Sequence, residues 1–362
     1  MGDESRDAPG MRSVIIAVVF VLVLVAGALD TLDATPVATF LAATAALAGL
    51  AWLVSIATES LGSYAGPALT GVLQSAFGNV PEIFVVLFAI ADGQLVVAQT
   101  AVVGSILANA LLALGIVLVV GSRASGDGVM RFHQRLAGDT STLLILAIGL
   151  IVLLDLASGS VSPKRLHAVA LSTVGAVALL LVFGVWLVGY LRAGATGDRP
   201  EAQPSPRTGS ELSLRSALTL LAAGGVASGF VADWFIGALQ PSLETLHLSQ
   251  EFAGIVIVGI AGNAVENATG VVLAAKRRPD LAVSVVINSV NQIAVFVFPV
   301  LVLASLAFDA HLTFELAPLY SGALALTALA MWQIAGDGEA YLFEGFALIA
   351  LYVIVAVFAF LR

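Results

Sequence analysis

Apolar residues come in long unbroken runs along this chain, separated by short polar breaks, without the two-residue alternation of a half-exposed strand. A helix needs roughly 20 apolar residues to cross a hydrocarbon core ~30 Å thick, and many runs reach that length. Reading runs against breaks predicts helices near 13–29, 36–58, 67–91, 95–120, 140–157, 166–191, 212–238, 250–275, 280–306, 313–334 and 340–361. The missing alternation argues against a membrane β-barrel. The first run follows Arg6 and Arg12 and ends in Ala26-Gly27-Ala28, so a cleaved signal peptide is the alternative to a first membrane helix.

The basic residues orient these helices. With the N-terminus in the cytoplasm, inside segments hold Arg6, Arg12, Arg123, Arg131, Arg135, Arg192, Arg199, Arg207, Arg215, Lys276, Arg277 and Arg278, twelve of the fifteen Lys and Arg. Outside segments keep only Lys164, Arg165 and Arg362. By the positive-inside rule the expected location is the inner (plasma) membrane, multi-pass, with the N-terminus cytoplasmic and the C-terminus outside.

Residues 193–211 are rich in Pro, Gly and Ser and read as a cytoplasmic linker. The expected organisation is an N-terminal tail and first helix over 1–35, a first repeat over 36–192, the linker over 193–211 and a second repeat over 212–362. Five helices per repeat is an odd number, so the second set enters the membrane with opposite polarity, as in many secondary transporters. The fold class is thus an all-α membrane protein of about eleven spans, two inverted five-helix repeats plus an extra N-terminal helix. A duplicated motif supports it: Gly78-Asn79-Val80-Pro81-Glu82 recurs 184 residues later as Gly262-Asn263-Ala264-Val265-Glu266, and Ser105 and Ser289 follow at that same offset.

Composition sharpens this picture. Only 11% of residues are charged, against about 25% in soluble domains. No cysteine is present, which excludes disulfides and thiolate chemistry. No basic, aromatic-studded segment of the kind that grips nucleic acid occurs.

Glu82 and Glu266 each fall within an apolar run, where a charged side chain costs at least ~2.5–3.5 kcal/mol. A functional use is the default for such a residue; the alternative is a protonated packing group. Asn79 and Asn263 precede them by three residues, which puts each pair on one helix face. Gly78, Gly262 and Pro81 interrupt regular helix, a feature tolerated at membrane depth where backbone lines a cavity or ion path. Carboxylates, amide oxygens, hydroxyls and freed carbonyls are hard ligands, and Ca²⁺ takes 6–8 such oxygens in irregular geometry. Two carboxylates close together in low dielectric cannot both stay ionised once the cation leaves, so protons replace it.

The stretch from Ala57-Thr58-Glu59 through GPALTGVLQSAFGNVPEIFV and GSILANALLALG resembles the first repeat of the Ca²⁺/H⁺ antiporter branch of the cation/Ca²⁺ exchanger superfamily. Residues 248–303 resemble the second. The resemblance implies alternating access around a midplane site, with Ca²⁺ as transported substrate, protons as counter-ion, and no cofactor. It implies cation ligands at Glu82, Glu266, Asn79, Asn263, Ser105, Asn109, Ser289 and Gln292, with Glu59 in gating or proton access. Departures from the family pattern are Asn267 where His is usual, Pro81 for an aliphatic residue, Gly229 after Ser228, and Asn288 for glycine. They leave Na⁺/H⁺ or K⁺/H⁺ exchange as the alternative.

Asp233, inside the seventh run, is a further candidate for gating or proton access. Asp92, Asp155, Glu244, Asp309 and Glu315 read as acids in or near external loops, and His133, His167, His247 and His311 as helix-end or loop residues. An intramembrane enzyme or a channel is the remaining alternative class. Neither GxSxG nor HExxH appears, so the chain is expected to transport rather than catalyse.

Overall fold

The computed structural model describes residues 8–65, 77–160, 165–195 and 212–362, and within these it is almost entirely helical. The helices are α1 (Ala8–Thr31), α2 (Pro36–Ala65), α3 (Val80–Ala91), α4 (Leu95–Ala124), α5 (Gln134–Ser160), α6 (Arg165–Ala195), α7 (Leu214–Leu246), α8 (Gln250–Gly262), α9 (Ala264–Ala275), α10 (Pro279–Ser305), α11 (Pro318–Asp337) and α12 (Leu342–Leu361). Among the described residues, seven helices are long and apolar enough to cross a bilayer, or eight when the bent pair α8 and α9 counts as one span. Most of the linker expected at 193–211, and much of the first half of the helix expected at 67–91, lie outside the described residues.

Two compact units divide the chain, and each draws on both sequence halves. The first comprises Met1–Val85 and Gly184–Leu246. Here α2 packs along α7, with Phe40 stacked on Phe235 at 5.1 Å between ring centroids. Helix α1 lies on α2 where Gly49 leaves room for Val19; a Cβ at Gly49 would come within 2.8 Å of it. Gly27 admits the Trp234 ring in the same way, at 2.7 Å. Outside the membrane run, the Tyr64 hydroxyl donates to Leu212 O at 2.8 Å. Helix α7 continues to Leu246, two turns past its expected end near 238, and carries Pro241 inside. Glu244 is therefore helical rather than a loop acid, and it accepts from Gln240 one turn back at 3.2 Å.

The second unit comprises Val86–Phe183 and His247–Arg362. Its interior is largely apolar: Ile106, Leu107, Leu111, Phe298 and Phe314 are fully buried. Helices α4 and α12 cross at Gly115 and Gly345, where a Cβ on either would meet the other's carbonyl within 2.8 Å.

Hydrogen bonds sort the helix ends of this unit onto two faces. On one, strand β1 (Val129–Arg131) pairs antiparallel with β2 (Glu339–Tyr341), joining the α4–α5 and α11–α12 connections. Ser122 donates to Ala340 O at 3.1 Å, and His133 N–H donates to Asp280 at the start of α10 at 2.7 Å. The Arg131 guanidinium bonds Asp127 at 2.6 Å, and this bond holds the exposed Asp127 carboxyl below its usual range. On the other face, Ser249 donates to Ala359 O at 2.5 Å and Arg362 pairs with Glu251 at 3.1 Å. Gln99 bonds the carbonyls of Thr313 and Glu315 there.

Residues 306–317 correct the sequence reading, which began a helix near 313. Leu312, Phe314 and Leu316 fold inward, with Phe314 fully buried, and their backbone donors are met by side chains. Ser305 Oγ accepts from Leu312 N–H at 2.9 Å, Ser172 Oγ from Phe314 N–H at 3.0 Å, and Asp155 from Leu316 N–H at 2.8 Å. Asp155 also accepts from the Ser321 hydroxyl at 2.5 Å. It is thus a helical brace on the first turn of α11 rather than a solvated loop acid. Helix α11 begins at Pro318 because proline suits a first helical turn and drives the preceding residue out of the helical region; Ala317 has ψ 141°.

Candidate functional site

The site is built where regular helix gives way. Helices α8 and α9 meet at 58° across Asn263, whose φ −110° and ψ 15° are not helical. Gly262 and Asn263 are both poor helix formers, so the bend falls on them. The Asn263 carbonyl accepts from Asn267 N–H at 3.0 Å and opens α9. Its side-chain amide donates back to Gly259 O at 3.1 Å, and its Oδ1 accepts from Ser289 Oγ at 3.4 Å. The expected 250–275 helix is therefore two, and Asn263 sits at their junction rather than sharing a helix face with Glu266.

The first motif has the same local form. Gly78 and Asn79 make a turn, the Asn79 carbonyl accepts from Ile83 N–H at 2.9 Å, and α3 starts at Val80. Glu82 and Glu266 each stand in the first turn of the helix that follows. Glu82 is 2% exposed and Asn79 6%; Glu266 is half-buried and Asn263 fully buried. The first turn of a helix exposes unpaired N–H groups and the positive end of the helix dipole. That favours the carboxylate form, while apolar surroundings oppose it.

Ser105 and Asn109 are fully buried on α4. Asn109 donates to Ser105 O at 3.0 Å. Ser105 Oγ and Asn109 Oδ1 are buried acceptors with no partner among the described residues. Asn109 lies in a π-helical segment, Ala108–Ala113, and Gln292 opens another, Gln292–Val297, at the 184-residue offset of the two motifs. Ser289, 4% exposed, stands just before the second segment. A third π-helical segment, Ala253–Val258, leads into the α8–α9 junction. A π turn adds a residue, widening the helix and loosening its hydrogen-bond ladder, which is why such turns gather at functional sites.

Glycines press these segments together. A Cβ on Gly104 would lie 2.5 Å from Ile255 Cα, and one on Gly259 would lie 2.6 Å from Gly104 C and 3.0 Å from Ser105 N. Helix α4 therefore crosses α8 backbone to backbone, beside Ser105 and one turn before Asn263. The π segment of α4 packs against the α8 end, α9 and α10, and that of α10 packs against α4. Ser105, Asn109, Asn263, Ser289 and Gln292 thus come from elements that meet in one unit. Among the described residues no three His, Asp or Glu side chains cluster. The atoms gathered are amide, hydroxyl and carbonyl oxygens, which suit hard cations.

Of the remaining candidates, Asp233 is exposed on α7. Glu59 falls within α2, and its side chain lies outside the described residues, as does that of His167. The glycine pair Gly254 and Gly259 went unrecognised in the sequence. Its five-residue spacing matches the i to i+5 repeat of a π turn and was the available signal.

The chain matches the family model described as sodium/calcium exchanger protein, over residues 35–191 and again over 216–361. A Ca(2+)/H(+) antiporter of Synechocystis sp. is 32% identical over 333 residues, covering 88% of this chain and 89% of that protein. The Ca(2+)/H(+) antiporter ChaA of Bacillus subtilis is 32% identical over 318 residues, covering 86% and 89%. The structure of native YfkE superposes with a TM-score of 0.80 at 27% identity, over 96% of this chain and all of that one. The H+/Ca2+ exchanger CAX shares the fold, with a TM-score of 0.73 at 15% identity.

Proposed function

Because the chain belongs to the sodium/calcium exchanger protein family, we propose that it is a secondary active transporter exchanging Ca²⁺ for H⁺ across the membrane by alternating access. The observation that carries this reading is the equivalence of Glu82 and Glu266. Each carboxylate stands in the first turn of a helix opened by a buried asparagine, 184 residues from the other. Proteins named as Ca(2+)/H(+) antiporters match over most of their length.

In this mechanism Glu82 and Glu266 are the carboxylates that trade Ca²⁺ for protons. Amide and hydroxyl oxygens of Asn79, Asn263, Ser105, Asn109, Ser289 and Gln292 replace the water of hydration. Ca²⁺ accepts so mixed a set because it tolerates irregular geometry at 2.3–2.6 Å, where Mg²⁺ demands octahedral order. Protons arriving on the two carboxylates release the cation, and their departure on the other side restores the site. Exchange is obligatory because cation and proton compete for the same oxygens.

The topology we propose has eleven spans in two inverted repeats after an extra first helix, with α3 and α5 as short spans beside the longer ones. The family model matching once in each half supports it. The cytoplasmic face is the one that carries the β1–β2 pair. Arg123, Arg131, Lys276, Arg277 and Arg278 cluster at that end of the second unit, against Arg362 at the other, as the positive-inside rule requires. The N-terminus is then cytoplasmic and the C-terminus outside, with Glu59 and Asp233 in gating or proton access.

The test is proton flux in everted membrane vesicles, read with a pH-sensitive dye on adding Ca²⁺, Mg²⁺, Na⁺ or K⁺ in turn. Ca²⁺ should dissipate the gradient, and Glu82→Gln and Glu266→Gln should each abolish that response. A Ca²⁺ response intact in both variants would sink the carboxylate mechanism, and a response to Na⁺ or K⁺ alone would move the substrate.

A further inference from the structure

Helix α12 turns one stripe inward: Gly345, Leu348, Tyr352, Val355 and Ala359 are buried at alternating spacings of three and four. Tyr352 is its polar member, 4% exposed. A hydroxyl at such a place is costly unless it is paired, and phenylalanine would fill the same space without one. The stripe runs along two partners. Gly345 lies on Gly115 of α4, and near the far end Ala359 O accepts from Ser249 at the start of α8. Between them the Tyr352 hydroxyl donates to Ile255 O of α8 at 3.2 Å.

Ile255 lies inside the π-helical segment Ala253–Val258, and its carbonyl is one that the π turn sets free. In an α-helix Ile255 O would accept from Gly259 N–H, four residues on. Here Gly259 N–H turns instead to Gly254 O, five residues back, and to Val256 O. The Tyr352 hydroxyl takes up the carbonyl left behind. The same residue is pressed against α4, where a Cβ on Gly104 would stand 2.5 Å from Ile255 Cα. One turn further on, Gly259 sits on the backbone of Gly104 and Ser105, and its carbonyl accepts from the Asn263 amide at 3.1 Å. Tyr352 is thus two contacts away from an asparagine of the proposed cation site.

We infer that Tyr352 is a positioning residue for the cation site: by bonding Ile255 O it holds this segment of α8 in its π form, and so keeps Gly259 on the α4 backbone and Asn263 at the α8–α9 junction. This rests on the cation-exchange reading above and adds to it a residue that touches no ion. A buried carbonyl must find a donor. Without the phenol, the donor within reach of Ile255 O is Gly259 N–H, and the turn closes toward a regular helix. That draws Gly259 off Ser105 and the Asn263 side chain away from Ser289, which it meets at 3.4 Å. An aromatic that only filled space would act through its ring, and phenylalanine would serve equally well.

The experiment is Ca²⁺-driven proton flux in everted vesicles holding the full-length protein, measured against Ca²⁺ concentration for wild type, Tyr352→Phe and Tyr320→Phe. Phenylalanine keeps the ring and removes the donor. Tyr320→Phe is the control, since it removes a hydroxyl bonded to Glu251 of the same helix at 3.2 Å, ahead of the π segment. Tyr352→Phe should raise the Ca²⁺ KM by roughly tenfold and leave the maximal rate per folded carrier close to that of wild type. Tyr320→Phe should leave KM unchanged. A role in stability alone lowers the amount of folded carrier, hence the maximal rate, and does not move KM. That result in Tyr352→Phe overturns the inference, as does an equal rise of KM in both variants. Should Tyr352→Phe fail to fold, Tyr352→Met, which also lacks the donor and adapts its shape, is read by the same criteria. The exchange reading stands in each case because wild type responds to Ca²⁺; a wild type that does not removes both.

Discussion

Replacing Gly104 with alanine tests whether the α4–α8 crossing holds the site together. The added Cβ would stand 2.5 Å from Ile255 Cα and 2.7 Å from Ile255 O, where ordinary contact begins at 3.4 Å. The obstacle is backbone, so no side chain can swing away, and the two helices must part by about 0.9 Å. Overpacking of this kind costs ~1–3 kcal/mol, partly offset by the ~1 kcal/mol that alanine gains over glycine in a helix. A net loss of about 1 kcal/mol, and up to about 2, follows. Gly149 on α5 is the control, since a Cβ there meets nothing within 4 Å and only the favourable term remains. Thermal unfolding in detergent, followed by tryptophan fluorescence, should rank Gly149→Ala at or above wild type and Gly104→Ala well below. The Ca²⁺ KM for exchange should rise in Gly104→Ala alone, because Ser105 moves with its neighbour. Gly104→Ala melting level with Gly149→Ala, with an unchanged KM, would refute the reasoning.

Two further outcomes separate scaffold from site. Asp155→Ala removes the acceptor for Leu316 N–H and the Ser321 hydroxyl; with charged-group hydrogen bonds worth ~1.5–3 kcal/mol, melting should fall by several degrees while Ca²⁺ affinity in the folded protein stays unchanged. Arg131→Ala should let the Asp127 carboxyl return toward its ordinary value, because the guanidinium hydrogen bond is what lowers it. A lowered carboxyl stabilises the fold above its unfolded pKa and loses that contribution as pH falls through the folded one. The pair is exposed, so the contribution is small: melting of Arg131→Ala should fall at most slightly below wild type at neutral pH, and the two should converge as the pH falls through the carboxylate range.

The site was legible in the sequence chiefly because it is written twice. Identical residues at one offset single out Gly78-Asn79 and Gly262-Asn263 without any knowledge of packing, and a carboxylate in an apolar run marks itself by its cost. The glycine crossing was hardly legible: apart from the five-residue spacing of Gly254 and Gly259, thirty-five glycines in an apolar chain give no sign of which ones meet a distant backbone. Asp155 and the segment 306–317 misled for a related reason. A stretch such as Leu312-Thr313-Phe314-Glu315-Leu316 has the apolar content of a helix start. Its irregular backbone is stable only because Ser172, Asp155 and Ser305, remote or adjacent in sequence, supply acceptors. Glu244 was taken for an acid in or near a loop, yet α7 runs on through Pro241 to Leu246, because a proline costs a membrane helix less when neighbours re-satisfy the freed carbonyl.

The π turns at Ala108–Ala113 and Gln292–Val297 bear on which lengths of chain this fold accepts. Each holds a residue more than an α-helical turn, so losing one residue there would restore regular helix and leave no gap to heal. Side chains beyond the deletion would keep their faces, because the wider turn already absorbs the extra residue without turning the rest of the helix. Gly115 would still meet Gly345, and Val117 Gly270. A residue added to the regular helix beyond has no such turn to absorb it and would rotate everything after it by about 100° about the helix axis. At these two places the fold accepts a shorter chain more readily than a longer one.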